Sequence, residues 1–327
     1  MILTALWLLA GLVLLLAGGT LVVRSASSIA VHYGVAPMVV GLTVVAFGTS
    51  APELVVNMMG AYAGQTALAF GNISGSNLAN IGLVLGSAAL LMPISIESGI
   101  VRRELPLLLL GTCALLIMSL DQPFLGTAPV LTRPDALILL LIFGIFVYIT
   151  VQDVLLRRAD PLRENLSALQ NKLPSAVATG AGREWLLLLC GLVLLTLGGH
   201  WTVAAGSELA SLMDLPPVIV GLVIVAIGTS LPEFVTTIIA ALKHEPDLCL
   251  GNVVGSNIFN ALFVLPLSAL VRPIPVPAGG LVDILASLVL AAIVILVFYA
   301  GRGRMTRGVG GALVLGYLAY MTYRLLA

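Results

Sequence analysis

GTSAPE, residues 48–53, interrupts a stretch otherwise apolar enough to be a membrane helix, and GTSLPE repeats it at residues 228–233. The offset is 180 residues, and two further blocks keep it with no change of register. GLVLLLAGGTLVVRSASSIA (11–30) lies over GLVLLTLGGHWTVAAGSELA (191–210) with ten identities in twenty, and GLTVVAFGTSAPELVVNMMG (41–60) lies over GLVIVAIGTSLPEFVTTIIA (221–240) with ten more. GNISGSNLANIGLVLG (71–86) matches GNVVGSNIFNALFVLP (251–266) at eight positions in sixteen. Apolar helices resemble one another by composition alone. Here, however, the identities include Gly48, Thr49, Ser50, Pro52, Glu53, Asn72, Ser76, Asn77 and Asn80, which hydrophobicity does not select.

The repeated unit belongs in a bilayer. Of the 327 residues, 60% are hydrophobic and 9% charged, and the mean hydropathy of +1.14 exceeds what a soluble domain needs. Ten runs are long enough to cross a hydrocarbon core of about 30 Å: 4–26, 37–60, 68–92, 104–120, 134–156, 184–206, 216–242, 248–271, 281–300 and 306–325. The start, MILTALWLL, carries no Lys or Arg, so it reads as a retained helix rather than a cleaved signal. The expected fold is an all-α polytopic membrane protein. Its first repeat covers 1–156, with an α-repeat at about 37–92; a polar linker covers 157–183; the second repeat covers 184–327, with an α-repeat at about 216–271. Five spans per half is an odd number, so the halves must be inverted, as in many secondary transporters.

Charge orients the chain. Under the ten-span plan, Arg133, Arg272 and Arg324 fall on one side, and the other twelve basic residues, from Arg24 to Arg307, fall on the other. Short basic loops stay cytoplasmic, so both termini are expected outside and the linker in the cytoplasm. Net charge is zero, which suggests neither a nucleic acid nor an acidic partner. Cys113, Cys190 and Cys249 lack metal-site spacing and read as small core residues. His200 has Thr20 as its repeat mate and reads as a packing residue, while Glu208 and Asp214 read as solvated charges at a span end.

Within the motif, Pro52 lacks an N–H and Gly48 permits departure from helical geometry, so carbonyls near Ala46 and Thr49, and near Ala226 and Thr229, are expected to be freed. Bare carbonyls at membrane depth must line a wet cavity or be buried in protein. Glu53 and Glu233 are the carboxylates nearest mid-span. An ionised side chain there costs about 2.5 to 3.5 kcal/mol and usually marks an ion path. Brought together, the two would require a cation or a proton. Asn72, Ser76 and Asn80, spaced i, i+4, i+8, form a stripe along one helix, and Asn252, Ser256 and Asn260 repeat it. Gly71 with Gly75, and Gly251 with Gly255, permit close packing. This is an oxygen inventory suited to a hard cation. Two carboxylates balance one Ca2+ or two Na+, and competition for that charge is a route to obligatory exchange; a proton could replace Na+. A passive cation channel is the reading from a different class, and an intramembrane hydrolase lacks a visible nucleophile and base.

These motifs resemble the two α-repeats of the calcium/cation antiporter superfamily, in particular prokaryotic sodium/calcium exchangers. The resemblance implies ion sites built from the second, third, seventh and eighth spans. Glu53 and Glu233 would be shared Ca2+ and Na+ ligands, with Thr49, Ser50, Thr229, Ser230, Ser76, Asn80, Ser256 and Asn260 contributing oxygens and Ala46 and Ala226 backbone carbonyls. It also implies that the first and sixth helices slide across the rest. Some relatives, including potassium-dependent exchangers, have Asp where this chain has Asn260, which argues against a K+ requirement. The proton-coupled branch usually departs from GTS before its Pro-Glu pair, so both copies here favour Na+. The expectation is a transporter without a cofactor, functional as a monomer, with Ca2+ and Na+ as substrates.

Overall fold

The computed structural model describes residues 2–95, 101–120, 126, 128–158, 181–212, 226–277, 279–300 and 303–326. The first half comprises α1 (Ile2–Tyr33), α2 (Pro37–Thr49), α3 (Ala51–Tyr62), α4, α5 (Val101–Met118) and α6 (Arg133–Arg158). Helix α4 runs Thr66–Ala79, continues as a π-helical stretch Asn80–Leu85 and closes with Gly86–Leu91. The second half comprises α7 (Ala181–Leu212), α8 (Ala226–Thr229), α9 (Leu231–Leu242), α10, α11 (Gly280–Ala300) and α12 (Arg307–Leu326). Helix α10 has the build of α4: Pro246–Phe259, a π-helical stretch Asn260–Val264, then Leu265–Val271.

Six helices are long and apolar enough to cross a membrane, and α2 with α3, bent by 44°, makes a seventh candidate span. The other expected spans, 104–120, 216–242 and 306–325, carry helices Val101–Met118, Ala226–Thr229 with Leu231–Leu242, and Arg307–Leu326. Residues 216–225, Asp214 and most of the expected linker lie outside the described residues. Helices α1 and α7 outrun their expected limits of 4–26 and 184–206, at 32 residues each. Nothing stops α1 until Gly34, whose φ of 65° suits a residue without a Cβ.

The two halves pack as an inverted pair. A Cβ on Gly18 would stand 2.8 Å from the Gly191 carbonyl oxygen, and one on Gly198 would stand 2.8 Å from that of Gly11. Gly191 and Gly198 are the repeat mates of Gly11 and Gly18, and the partner number falls as the α1 number rises. Helices α1 and α7 are therefore antiparallel, and their backbones touch through glycines. The centre belongs to α4 and α10, whose apolar windows are 78% and 83% buried, against 33% for α1. Polar stripes on those two helices are thus shielded from lipid.

Two short ladders qualify the all-α expectation. Strand β1 (Ile94–Ser95) pairs antiparallel with β4 (Arg304–Met305), and β2 (Val130–Leu131) pairs with β3 (Ile274–Pro275). Each ladder joins loops that the ten-span alternation puts on the same face. Two-residue strands carry no periodicity that a sequence could reveal.

Candidate cation-binding site

The break in the first motif is one residue wide. Ser50, at φ −85° and ψ 8°, separates α2 from α3, and Ser230, at −88° and 8°, separates α8 from α9. Pro52 and Pro232 sit in the first turn of the following helix, where a missing N–H is tolerated. Ala46 differs from expectation: its carbonyl accepts the Ser50 N–H at 3.0 Å and lies 3.3 Å from the Thr49 hydroxyl, so it is not freed. Helical numbering points instead to Gly48, the carbonyl that Pro52 cannot reach. Gly48 itself stays helical. Its role is clearance, since a Cβ there would meet the Leu192 side chain at 2.4 Å.

Glu53 and Glu233, at the N-terminal turns of α3 and α9, are fully buried and within electrostatic reach of each other. Each is addressed from the opposite half. Ser50 donates to Glu233 Oε1 at 2.7 Å, and Ser230 is 3.5 Å from Glu53 Oε1. Ser256 reaches Glu233 Oε1 at 3.5 Å, and Ser76 meets the Ser230 hydroxyl at 3.1 Å. The same reciprocity holds one residue earlier: Thr49 donates to Asn252 Oδ1, and Thr229 to Asn72 Oδ1, both at 3.2 Å. Such paired contacts, each residue meeting its partner's mate, are the signature of two-fold symmetry.

Asn80 and Asn260, the residues at which the π-helical stretches begin, are buried. Asn80 donates to Asn257 Oδ1 at 3.0 Å, while neither polar atom of Asn260 has a partner among the described residues. Ala226 opens α8, and its side chain lies outside the described residues. A cavity of about 430 Å³, lined in part by Pro52, Thr229, Pro232 and His200, opens alongside, so His200 faces space rather than a tight pack.

The absence of a fixed counter-charge among the described residues bears on what the cluster can do. Elsewhere, two buried carboxylates are ion-paired: Glu104 with Arg103, and Asp283 with Arg324 Nε at 3.0 Å. Glu53 and Glu233 have hydroxyl partners instead, and Oε2 of each is unpartnered among the described residues. Two buried acidic groups without a cationic side chain suit a mobile cation or proton. Among the described residues, no group of three or more His, Cys, Asp or Glu offers a transition-metal site.

Asn252, expected in the polar stripe, bonds to the Glu233 carbonyl at 3.3 Å and to the Thr237 hydroxyl at 2.9 Å. Asn57, which the sequence pattern does not single out, holds the Glu53 carbonyl at 2.7 Å. Asn77 and Asn257 meet across the centre, and their identity between repeats was the available signal. Of the glycine pairs, Gly251 and Gly255 lie against the backbone of α2, whereas a Cβ on Gly71 or Gly75 would meet nothing within 4 Å among the described residues. Cys190 faces outward rather than into a core. Glu208 is exposed and accepts from Thr4 at 3.0 Å.

The family model described as sodium/calcium exchanger protein matches residues 3–152 and 183–326. CaxA of Alkalimonas amylolytica is 37% identical over 100% of this chain and 99% of its own length. The sodium/calcium exchanger MaX1 of Methanosarcina acetivorans is 28% identical over 96% of each. A structure of the sodium-calcium exchanger NCX_Mj soaked with zero Na+ and Ca2+ superposes with a TM-score of 0.83 at 26% identity, covering 98% of this chain and 99% of that one. Two inverted repeats, a paired acidic cluster at their interface and a family match over both halves lead to one conclusion: the chain is a multi-pass membrane protein of the sodium/calcium exchanger family.

Proposed function

We propose that this protein is a secondary antiporter that exchanges Ca2+ for Na+ by alternating access. The observation that carries the reading is the pair Glu53 and Glu233, fully buried and bonded to hydroxyls of the opposite half rather than to a basic side chain. Two negative charges accept one Ca2+ or two Na+, so the ions compete for the same charge. Ca2+ takes six to eight oxygens in flexible geometry; Ser50, Ser230, Ser76, Ser256, Asn80 and Asn260, with hydroxyls of Thr49 and Thr229 and the carbonyl of Ala226, are the proposed supply. Both GTS copies favour Na+ as the counter-ion, and Asn260 in place of Asp argues against K+.

In this reading the functional halves are 1–156 and 184–327, residues 157–183 form a cytoplasmic linker, both termini lie outside, and one chain suffices. The test is 45Ca2+ flux in reconstituted vesicles with Na+, K+ and H+ gradients imposed separately. An imposed Na+ gradient is expected to drive Ca2+ accumulation. Indifference to Na+ with a response to pH would replace the reading by Ca2+/H+ antiport, and flux without trans-stimulation would replace it by a channel.

A further inference from the structure

The central asparagines form a relay whose polarity is fixed from one end. The Asn77 backbone carbonyl can only accept, so the Asn257 side chain that meets it at 3.1 Å presents its NH2. This turns Asn257 Oδ1 toward Asn80, whose own NH2 donates to it at 3.0 Å. Asn80 is left with its Oδ1 buried and without a partner among the described residues. Connectivity thus decides an amide orientation that shape alone leaves open.

The mate relay starts the same way and stops. Asn77 Nδ2 reaches the Asn257 carbonyl at 3.4 Å. The next bond, from Asn260 Nδ2 to Asn77 Oδ1, is not made: among the described residues, neither atom has a partner. The same bias recurs at the carboxylates, where Ser50 to Glu233 is 2.7 Å and its mate, Ser230 to Glu53, is 3.5 Å. One asparagine is aimed and its mate is free to turn.

We propose that Asn257 and Asn77 are positioning residues. Asn257 aims the Asn80 oxygen at the cation in one facing of the transporter, and Asn77 aims the Asn260 oxygen in the other. Inverted repeats exchange conformations when the transporter changes face, so an unequal pair of contacts in one state is reversed in the other. The chemistry requires the aim, because an amide oxygen is a cation ligand whereas its NH2 end repels one. The inference rests on the antiport reading and adds face-specific roles to it.

The test compares Asn257→Leu and Asn77→Leu in sealed vesicles of both orientations, reading the initial rate of Ca2+ uptake against external Ca2+. Asn257→Leu is expected to raise the Ca2+ KM about threefold to tenfold on one face and leave kcat near that of the unmodified protein, and Asn77→Leu to do so on the opposite face. If the leucine variant does not reach the membrane, Asn257→Ser, too short to hold Asn80, replaces it. Equal shifts on both faces, or none, overturn the relay while antiport stands. Failure of any ion gradient to drive Ca2+ flux in the unmodified protein overturns antiport itself.

Discussion

Ser50 reaches out of its own half to donate its hydroxyl proton to Glu233 at 2.7 Å, so the carboxylate of the second repeat is held by the motif of the first. Neither half owns a complete site. On the proposed reading, a cation at Glu233 would report the position of α2 and α3 as well as that of α9.

Removing that hydroxyl tests this link. Hydrogen bonds to charged groups contribute about 1.5–3 kcal/mol, so Ser50→Ala is expected to raise the Ca2+ KM at least about tenfold. On the face whose arrangement this structure represents, Ser230→Ala, whose bond to Glu53 spans 3.5 Å, is expected to have the smaller effect. Ca2+ dose–response curves for the two variants provide the comparison, and the reverse ranking would count against it.

Glu53→Gln and Glu233→Gln each halve the charge available to Ca2+ while keeping size and polarity. Both are expected to abolish Ca2+ transport, with the protein still present in the membrane at normal levels. Substantial 45Ca2+ flux by either variant would remove that residue from the essential set.

Asn260→Asp would add a third carboxylate to the cluster. Charge balance then calls for one further monovalent cation per Ca2+, so the number of Na+ or K+ moved per Ca2+ is expected to rise. Null-point flux measurements read this number directly, and an unchanged ratio would place Asn260 outside the charge-balancing set.

Gly18→Val would push α1 away from α7, because a Cβ at residue 18 already falls 2.8 Å from the Gly191 carbonyl oxygen. Overpacking of this kind typically costs about 1–3 kcal/mol. A lower Tm and a lower kcat are expected with an unchanged Ca2+ KM, since neither helix supplies a proposed ligand. An altered KM with normal kcat would instead tie α1 to binding.

The inverted repeat was legible because polar identities such as Glu53 with Glu233 and Asn80 with Asn260 keep one offset through apolar helices. The cluster of carboxylates and serines followed from that offset together with the cost of burying charge. Other features left no comparable mark. The Ala46 carbonyl stays bonded because the break is a single residue, a matter of backbone dihedrals that Gly and Pro only permit. The asparagine relay depends on which amide end faces which neighbour, and helix periodicity does not encode rotamers. The length of α1 escaped because hydropathy marks where lipid ends, whereas the helix ends where Gly34 turns.

The two small ladders divide the protein mechanically. Pairing β1 with β4 ties the loop after α4 to the loop before α12, and pairing β2 with β3 ties the loop before α6 to the loop after α10. Like hoops at both ends of a cask, they bind α4, α5, α6, α10, α11 and α12 into a frame. Helices α1 and α7 pass outside both hoops and meet each other through bare glycine backbone. On the antiport reading proposed above, a displacement of that pair would leave both ladders intact, with the six-helix frame as its guide.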